Sequence, residues 1–218
     1  MIRIKICCIR TLEEAQLAIR LGADALGLVS AMPSGPGVIA EEKIAQIAAA
    51  VPPPIATFLL TSQTDPEAII TQQRRCQANT LQLCDSLTAE AHQQLRHALP
   101  GIKLVQVVHV LNEQSIAEAL AVAPQVDALL LDSGNPTLPV KQLGGTGRVH
   151  NWAVSAEIVR RSPRPVFLAG GLKPENVGAA IRQVQPFGID ICTGVRTDGR
   201  LDAQKLTQLI SRVQEGIS

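Results

Sequence analysis

A chain of 218 residues, 46% hydrophobic and 18% charged, can bury one large core and is too apolar for disorder. A net charge of +1, with three Phe, one Trp and no Tyr, argues against a nucleic-acid partner held by charge or by base stacking. No apolar run reaches membrane-spanning length, no signal-peptide pattern opens the chain, and five cysteines lack small-secreted-domain spacing, so they read as cytosolic thiols in a cytoplasmic protein with no membrane partner.

Strand-like and helix-like segments alternate from the first residues. Arg3–Cys8 opens as a strand in which Lys5 and Cys7 share one face and Ile4, Ile6 and Cys8 the other. Thr11 offers an N-cap, and Glu13 and Glu14 fill the first turn of a helix. Asp24–Ser30 is a second strand, followed by a Pro- and Gly-rich loop at 31–38 and a helix at Glu41–Val51. Ile55–Leu60 is the third strand, and Asp65 caps a helix with Pro66 at its first position. Thr80–Cys84 and Ile102–Val110 are strands followed by helices at Thr88–Leu99 and Glu113–Val122. Val126–Asp132 is the near-continuous apolar run of a strand covered on both faces. After a long loop at 133–151 come the helix Trp152–Arg161, the strand Pro165–Ala169, the helix Pro174–Val184, the strand Gly188–Cys192 and the helix Asp202–Val213.

Eight strand–helix units in strict alternation predict an α/β protein, a (β/α)8 TIM barrel with eight parallel strands, in a single domain spanning 1–218. An open Rossmann-like sheet is the alternative, but no Gly-x-Gly-x-x-Gly turn follows a strand. In a barrel the strand ends converge, bringing Cys7, Ser30, Cys84, His109, Asp132 and Cys192 to one mouth. There a thiolate can take a proton and a carboxylic acid can give one, provided the site moves their pKa values from about 8.5 and about 3.9 towards neutrality. Gly170-Gly171 and Thr193-Gly194 follow strands seven and eight, where bare backbone N–H groups suit an anion. Gly144-Gly145-Thr146-Gly147 lacks Walker lysine spacing and reads as part of a mobile lid or a solvated turn. Strands one and eight are neighbours in a closed barrel, so Cys7 and Cys192 are expected near each other. With Cys84 and His109 they are an alternative soft-metal set, without the close spacing that would support one. His92, His97 and His150 read as solvated.

With these residues laid out, the chain resembles the phosphoribosylanthranilate isomerase family of tryptophan biosynthesis over nearly its whole length. The resemblance rests on Lys5-Ile6-Cys7 with Thr11, Leu81-Gln82-Leu83, Asp127–Ser133, Gly144–Gly147 with Trp152, Leu168–Leu172 with Pro174, Asn176 and Val177, and Asp190, Gly194-Val195, Asp202 and Lys205. It implies the eight-stranded barrel and an Amadori rearrangement of an aminoaldose phosphate to an aminoketose phosphate. It implies Asp132 as general acid and Cys7 as general base. It implies a phosphate cradle from Gly144, Gly145, Gly170, Gly171, Thr193 and Gly194, with Gln82, Cys84 and Cys192 lining the substrate. The partner is a small phosphosugar, no metal or cofactor is needed because the amine is the electron sink, and the chain is a monomer or a homodimer.

The chain departs from the family pattern where the aromatic part of the substrate binds. Ser34-Gly35-Pro36 stands in place of Ser-Pro-Arg, which removes a bidentate partner for a carboxylate. Cys8 replaces a Gly, Cys84-Asp85 replaces His-Gly, His150-Asn151 replaces Phe-Asp, and Cys192–Arg196 replaces Ser-Ser-Gly-Val-Glu. The alternative reading is therefore a divergent relative that binds a phosphorylated metabolite without catalysis, or acts on a different aminosugar phosphate.

Overall fold

A computed structural model describes residues 1–216; Ile217 and Ser218, the end of the expected 1–218 domain, lie outside the described residues. Eight parallel strands close into a barrel in the order β1 to β8: Arg3–Ile6, Ala25–Val29, Ala56–Thr61, Thr80–Leu83, Lys103–His109, Ala128–Asp132, Val166–Leu168 and Gly188–Ile191. The helices α1 to α8 alternate with them: Leu12–Arg20, Glu41–Ala50, Pro66–Cys76, Ala89–Ala98, Gln114–Val122, Trp152–Arg161, Val177–Val184 and Ala203–Gly216. The expected elements therefore stand, with shifts at their ends. The largest are of three residues: α7 begins at Val177 and not Pro174, and α8 runs past Val213 to Gly216.

Strand alternation divides the core in two. Ile4, Ile6, Leu26, Leu28, Leu59, Leu81, Leu129, Leu131, Ile189 and Ile191 point outward and pack under Ala15, Ile44, Ile69, Leu95, Ile158 and Leu206 of the helices. Burying each Leu or Ile contributes about 1.5–3 kcal/mol, so this shell supplies most of the stabilisation. A smaller inner cluster of Ala25, Val29, Phe58, Leu60, Val105, Val107, Leu130 and Phe167 fills the barrel beneath Cys7 and Cys84. The expected caps form: Thr11 accepts from the Glu14 N–H, and Asp65 accepts from Glu67 and Ala68 with Pro66 in the first turn.

Closure depends on β1 and β8, registered Arg3↔Gly188, Ile4↔Ile189, Lys5↔Asp190 and Ile6↔Ile191. Gly188 is obligatory by contact, because a Cβ there would fall 2.6 Å from the Phe167 ring. One layer up, Lys5 is wholly buried, and its Nζ pairs with Asp190 at 2.9 Å and lies 5.1 Å from the centre of the Phe58 ring.

The first strand ends sooner than Cys8. Cys7 still donates its N–H to Ile191 at 2.8 Å, but Cys8 takes a left-handed backbone with φ of 62° and leaves the extended run. Two histidines expected in solvent are held instead. His92 is buried, with Nδ1 on the Thr88 carbonyl at 2.9 Å and Nε2 on Gln106 at 3.1 Å. His150 is part-buried, with Nε2 on the Ser155 hydroxyl at 2.7 Å, and burial lowers its pKa to about 4. Only His97 is exposed as expected.

Lys5→Met strands the Asp190 charge in the barrel, so it is expected to cost about 3–5 kcal/mol of unfolding free energy, and Lys5→Met with Asp190→Asn to recover most of that. Urea denaturation of both variants reads the difference; a double variant no more stable than the single one contradicts the pairing.

Candidate active site

A cavity open to solvent occupies the carboxyl-end mouth of the barrel. Cys7, Gln82, Cys84, Asp132, Gly144, Gly145, Gly170, Gly171, Cys192 and Thr193 all line it, so the structure gathers nearly every site residue expected from sequence. Gly194 is the exception. It is packed against the backbone of Leu172 and Lys173, where a side chain would collide with the Leu172 carbonyl.

Asp132 ends β6 with only a sliver of exposed surface. Burial raises its pKa, opposed by the Ser133 N–H, which donates to Oδ1 at 2.8 Å, and by nearby His109. The neutral acid is thereby favoured over its free-solution state, as a proton donor requires. Loop 6 comes down beside it: a Cβ on Gly144 would fall 2.7 Å from Asp132 Oδ2.

Cys7 follows β1 and faces the same cavity. Burial pushes its thiol up to about 11, while the Lys5 ammonium pulls it down. At neutral pH the thiol form therefore predominates over the thiolate. Cys84, also buried and beside Cys7, has its thiol pushed up by burial and then by Cys7.

The glycines carry the rest of the wall. Gly170 and Gly171 have φ of 81° and 62° and press against Ser133, His150 and the Arg148 backbone, where side chains would not fit. Beyond β8 the chain makes a single 3-10 turn at Thr193–Val195 beside them. The loop at 133–151 (loop 6) is solvated at Gly145 and Gly147 yet anchored between them and β6: Gly145 touches Pro36, the Ser34 hydroxyl donates to the Lys141 carbonyl at 2.8 Å, and Leu143 is buried over the inner core.

One expectation about cysteine is corrected, that all five are thiols. Cys7 and Cys192 stand at the same level of the β1–β8 seam, as expected, but the residue bonded to Cys192 is Cys8. The pair forms a disulfide with Cα atoms 5.9 Å apart, because the left-handed turn at Cys8 swings its side chain across the β1–β8 seam. The chain is thus not wholly thiol, although Cys7, Cys76 and Cys84 remain free. Nor do Cys7, Cys84, Cys192 and His109 make a metal cluster; among the described residues no group of three or more His, Cys, Asp or Glu could hold an ion.

Sequence reasoning missed the Lys5–Asp190 pair under the cavity. A Lys on the inward face of a barrel strand was the available signal. The missing arginine has no substitute on the wall, since no Lys or Arg lines the cavity. Arg196 is buried, donating to Glu14 at 2.9 Å and to the carbonyls of Cys7 and Cys8 at 3.2 and 2.6 Å, so it braces the turn after β1. Arg148 is exposed on Gln142, and Lys141 is paired with Asp85.

The sequence model of the N-(5'phosphoribosyl)anthranilate (PRA) isomerase family matches residues 4–212. N-(5'-phosphoribosyl)anthranilate isomerase 2 of Methanosarcina mazei is 36% identical over 97% of this chain and 94% of its own length. The corresponding isomerase of Thermosynechococcus vestitus is 33% identical over 97% and 90%. Among solved structures, the phosphoribosyl anthranilate isomerase of Thermotoga maritima is 30% identical and superposes with a TM-score of 0.84 over 99% of this chain and 100% of that one. A phosphoribosyl anthranilate isomerase complexed with reduced 1-(o-carboxyphenylamino)-1-deoxyribulose 5-phosphate is 28% identical, with a TM-score of 0.82 over 99% and 100%.

Reduction of the Cys8–Cys192 bond releases a constraint on nearly the whole unfolded chain and is expected to lower unfolding free energy by about 2–5 kcal/mol. Urea midpoints with and without dithiothreitol measure it; coincident midpoints, with the thiols shown to be free, contradict a stabilising bond.

Proposed function

The chain belongs to the N-(5'-phosphoribosyl)anthranilate isomerase family, and on that premise we propose that it catalyses the Amadori rearrangement of phosphoribosylanthranilate, an aldose–ketose isomerisation of tryptophan biosynthesis. The observation that carries this reading is the pair Cys7 and Asp132, buried on separate strands yet facing one cavity rimmed by glycine-rich loops.

The chemistry follows from the two environments. Asp132, whose pKa burial raises, in its neutral form protonates the ribose ring oxygen; the C1′–O bond breaks and the nitrogen lone pair forms the Schiff base. The Cys7 thiolate then takes the C2′ proton, and the electron pair moves into the iminium to give an enolamine, which becomes the ketone. The nitrogen accepts the electrons, so the residues need supply only protons and position. Backbone N–H groups of Gly144, Gly145, Gly170, Gly171 and Thr193 hold the phosphate, with Gly194 supporting that wall from behind. Gln82, Cys84 and Cys192 border the sugar. A reduced product analogue bound to a similar barrel supports this substrate class.

The productive state is a minority. Asp132 must be protonated while Cys7 is ionised, although the thiol pKa of about 11 lies far above the carboxyl range. The common singly protonated form, carboxylate with thiol, carries the same number of protons as the active one.

All these groups come from one copy of a single barrel, so the reading holds for a monomer and a homodimer alike. A phosphorylated pathway intermediate as substrate places the reaction in the cytoplasm.

Turnover of phosphoribosylanthranilate generated in situ tests the proposal. Wild type is expected to turn it over, and Cys7→Ala and Asp132→Asn each to lose about 10²–10⁴ in kcat; an inert wild type, or a variant with full turnover, overturns it. Pro36→Arg restores a fork for the substrate carboxylate and is expected to lower KM by about one to two powers of ten with kcat little changed. An unchanged KM shows that loop 2 does not face the aromatic acid.

A further inference from the structure

The mechanism above leaves one conspicuous group unused. Lys5 is wholly buried below the cavity floor, out of reach of any substrate, and is not among the cavity's lining residues. Its Nζ is 2.9 Å from Asp190 Oδ1, and that pair takes only one of the ammonium's three donors. The remaining directions hold the Phe58 ring and Cys7. Both Nζ and Cys7 Sγ lie against Gly27: a Cβ there would fall 2.7 Å from the sulfur and 3.1 Å from the nitrogen. Glycine at that position lets a cation and a thiol share one small space.

We propose that Lys5 is a positioning residue for the isomerisation: its buried ammonium stabilises the Cys7 thiolate, and Asp190 holds the ammonium at that spot and limits its effect. This rests on the assignment of Cys7 as base. The charges around Cys7 come from its own strand and three others: Lys5 on β1, Asp190 on β8, Asp132 on β6 and the Cys84 thiol after β4. Arg196 is a second cation close by, but it is spent on Glu14 and on the Cys7 and Cys8 carbonyls; among the described residues Lys5 is the cation that shares the small space against Gly27 with the sulfur, while Asp190, Asp132 and Cys84 oppose a thiolate.

Removing Asp190 alone leaves the cation unopposed, whereas removing both partners leaves a neutral core that can still fold. The test is the rate at which iodoacetamide alkylates Cys7 in the intact protein between pH 7 and 10. Modification is assigned to Cys7 by peptide fragmentation, and folding of each variant is checked by circular dichroism. Asp190→Asn is expected to react at least tenfold faster than wild type at pH 8, and Lys5→Met with Asp190→Asn at least threefold slower. These two variants differ only at residue 5, so equal rates overturn the proposal. If that double variant does not fold, Lys5→Gln with Asp190→Asn takes its place: a rate at least threefold below that of Asp190→Asn alone supports the proposal, and an equal rate overturns it. Alkylation reads the thiol and not turnover. A Cys7→Ala enzyme that retains turnover would therefore sink the catalytic assignment without touching this result.

Discussion

The seam between β1 and β8 is the constraint on which the rest of this structure depends. A barrel is closed only where its last strand meets its first, and here that meeting is made three times over. At the bottom, Gly188 admits the Phe167 ring beside Arg3. In the middle, the fully buried Lys5 meets Asp190. At the top, the Cys8–Cys192 bond ties the two strand ends together. Cys7 lies between the second and third of these ties, so the same contacts that close the fold fix where the base points and which charges surround it.

That placement explains how an apolar, buried site manages proton transfer at both ends of a sugar. Burial alone favours neutral groups, raising both the Asp132 carboxyl and the Cys7 thiol. For the acid this is help; for the base it is a hindrance, and a cation below the floor offsets part of it. Among the described residues no Lys or Arg lines the cavity, so in the proposed reading the phosphate falls to backbone N–H groups, and Pro36 offers the aromatic carboxylate no bidentate partner.

Most of the architecture was legible in the sequence because period-2 and period-3.6 patterns alternate cleanly, and Thr11, Asp65 and Pro66 mark helix starts. The positions of Cys7 and Asp132 followed from strand ends alone. What escaped was set by geometry across the barrel. Cys8 was read as the continuation of a strand, but its left-handed φ turns it towards Cys192, a partner 184 residues away. His92 looked like a surface helix residue because its partner, Gln106, lies on the strand beneath. Gly194 reads from sequence as an anion-binding glycine, and its need for a bare Cα against Leu172 appears only in three dimensions. Lys5 shared a face with Cys7 on paper, but its counter-charge on β8 appears only when the ring closes.

The pH dependence of kcat/KM for phosphoribosylanthranilate tests the account most directly. If Asp132 gives a proton and a high-pKa Cys7 takes one, the active and dominant forms hold equal numbers of protons. The profile is then flat from pH 8 to 10, with its alkaline fall only near the thiol pKa of about 11. A rate that climbs tenfold per pH unit across that range would mean that Cys7 ionises with no acid to match it. A rate that falls steadily would mean that the proton donor is titrating without a compensating base. Either slope contradicts the paired roles of Cys7 and Asp132.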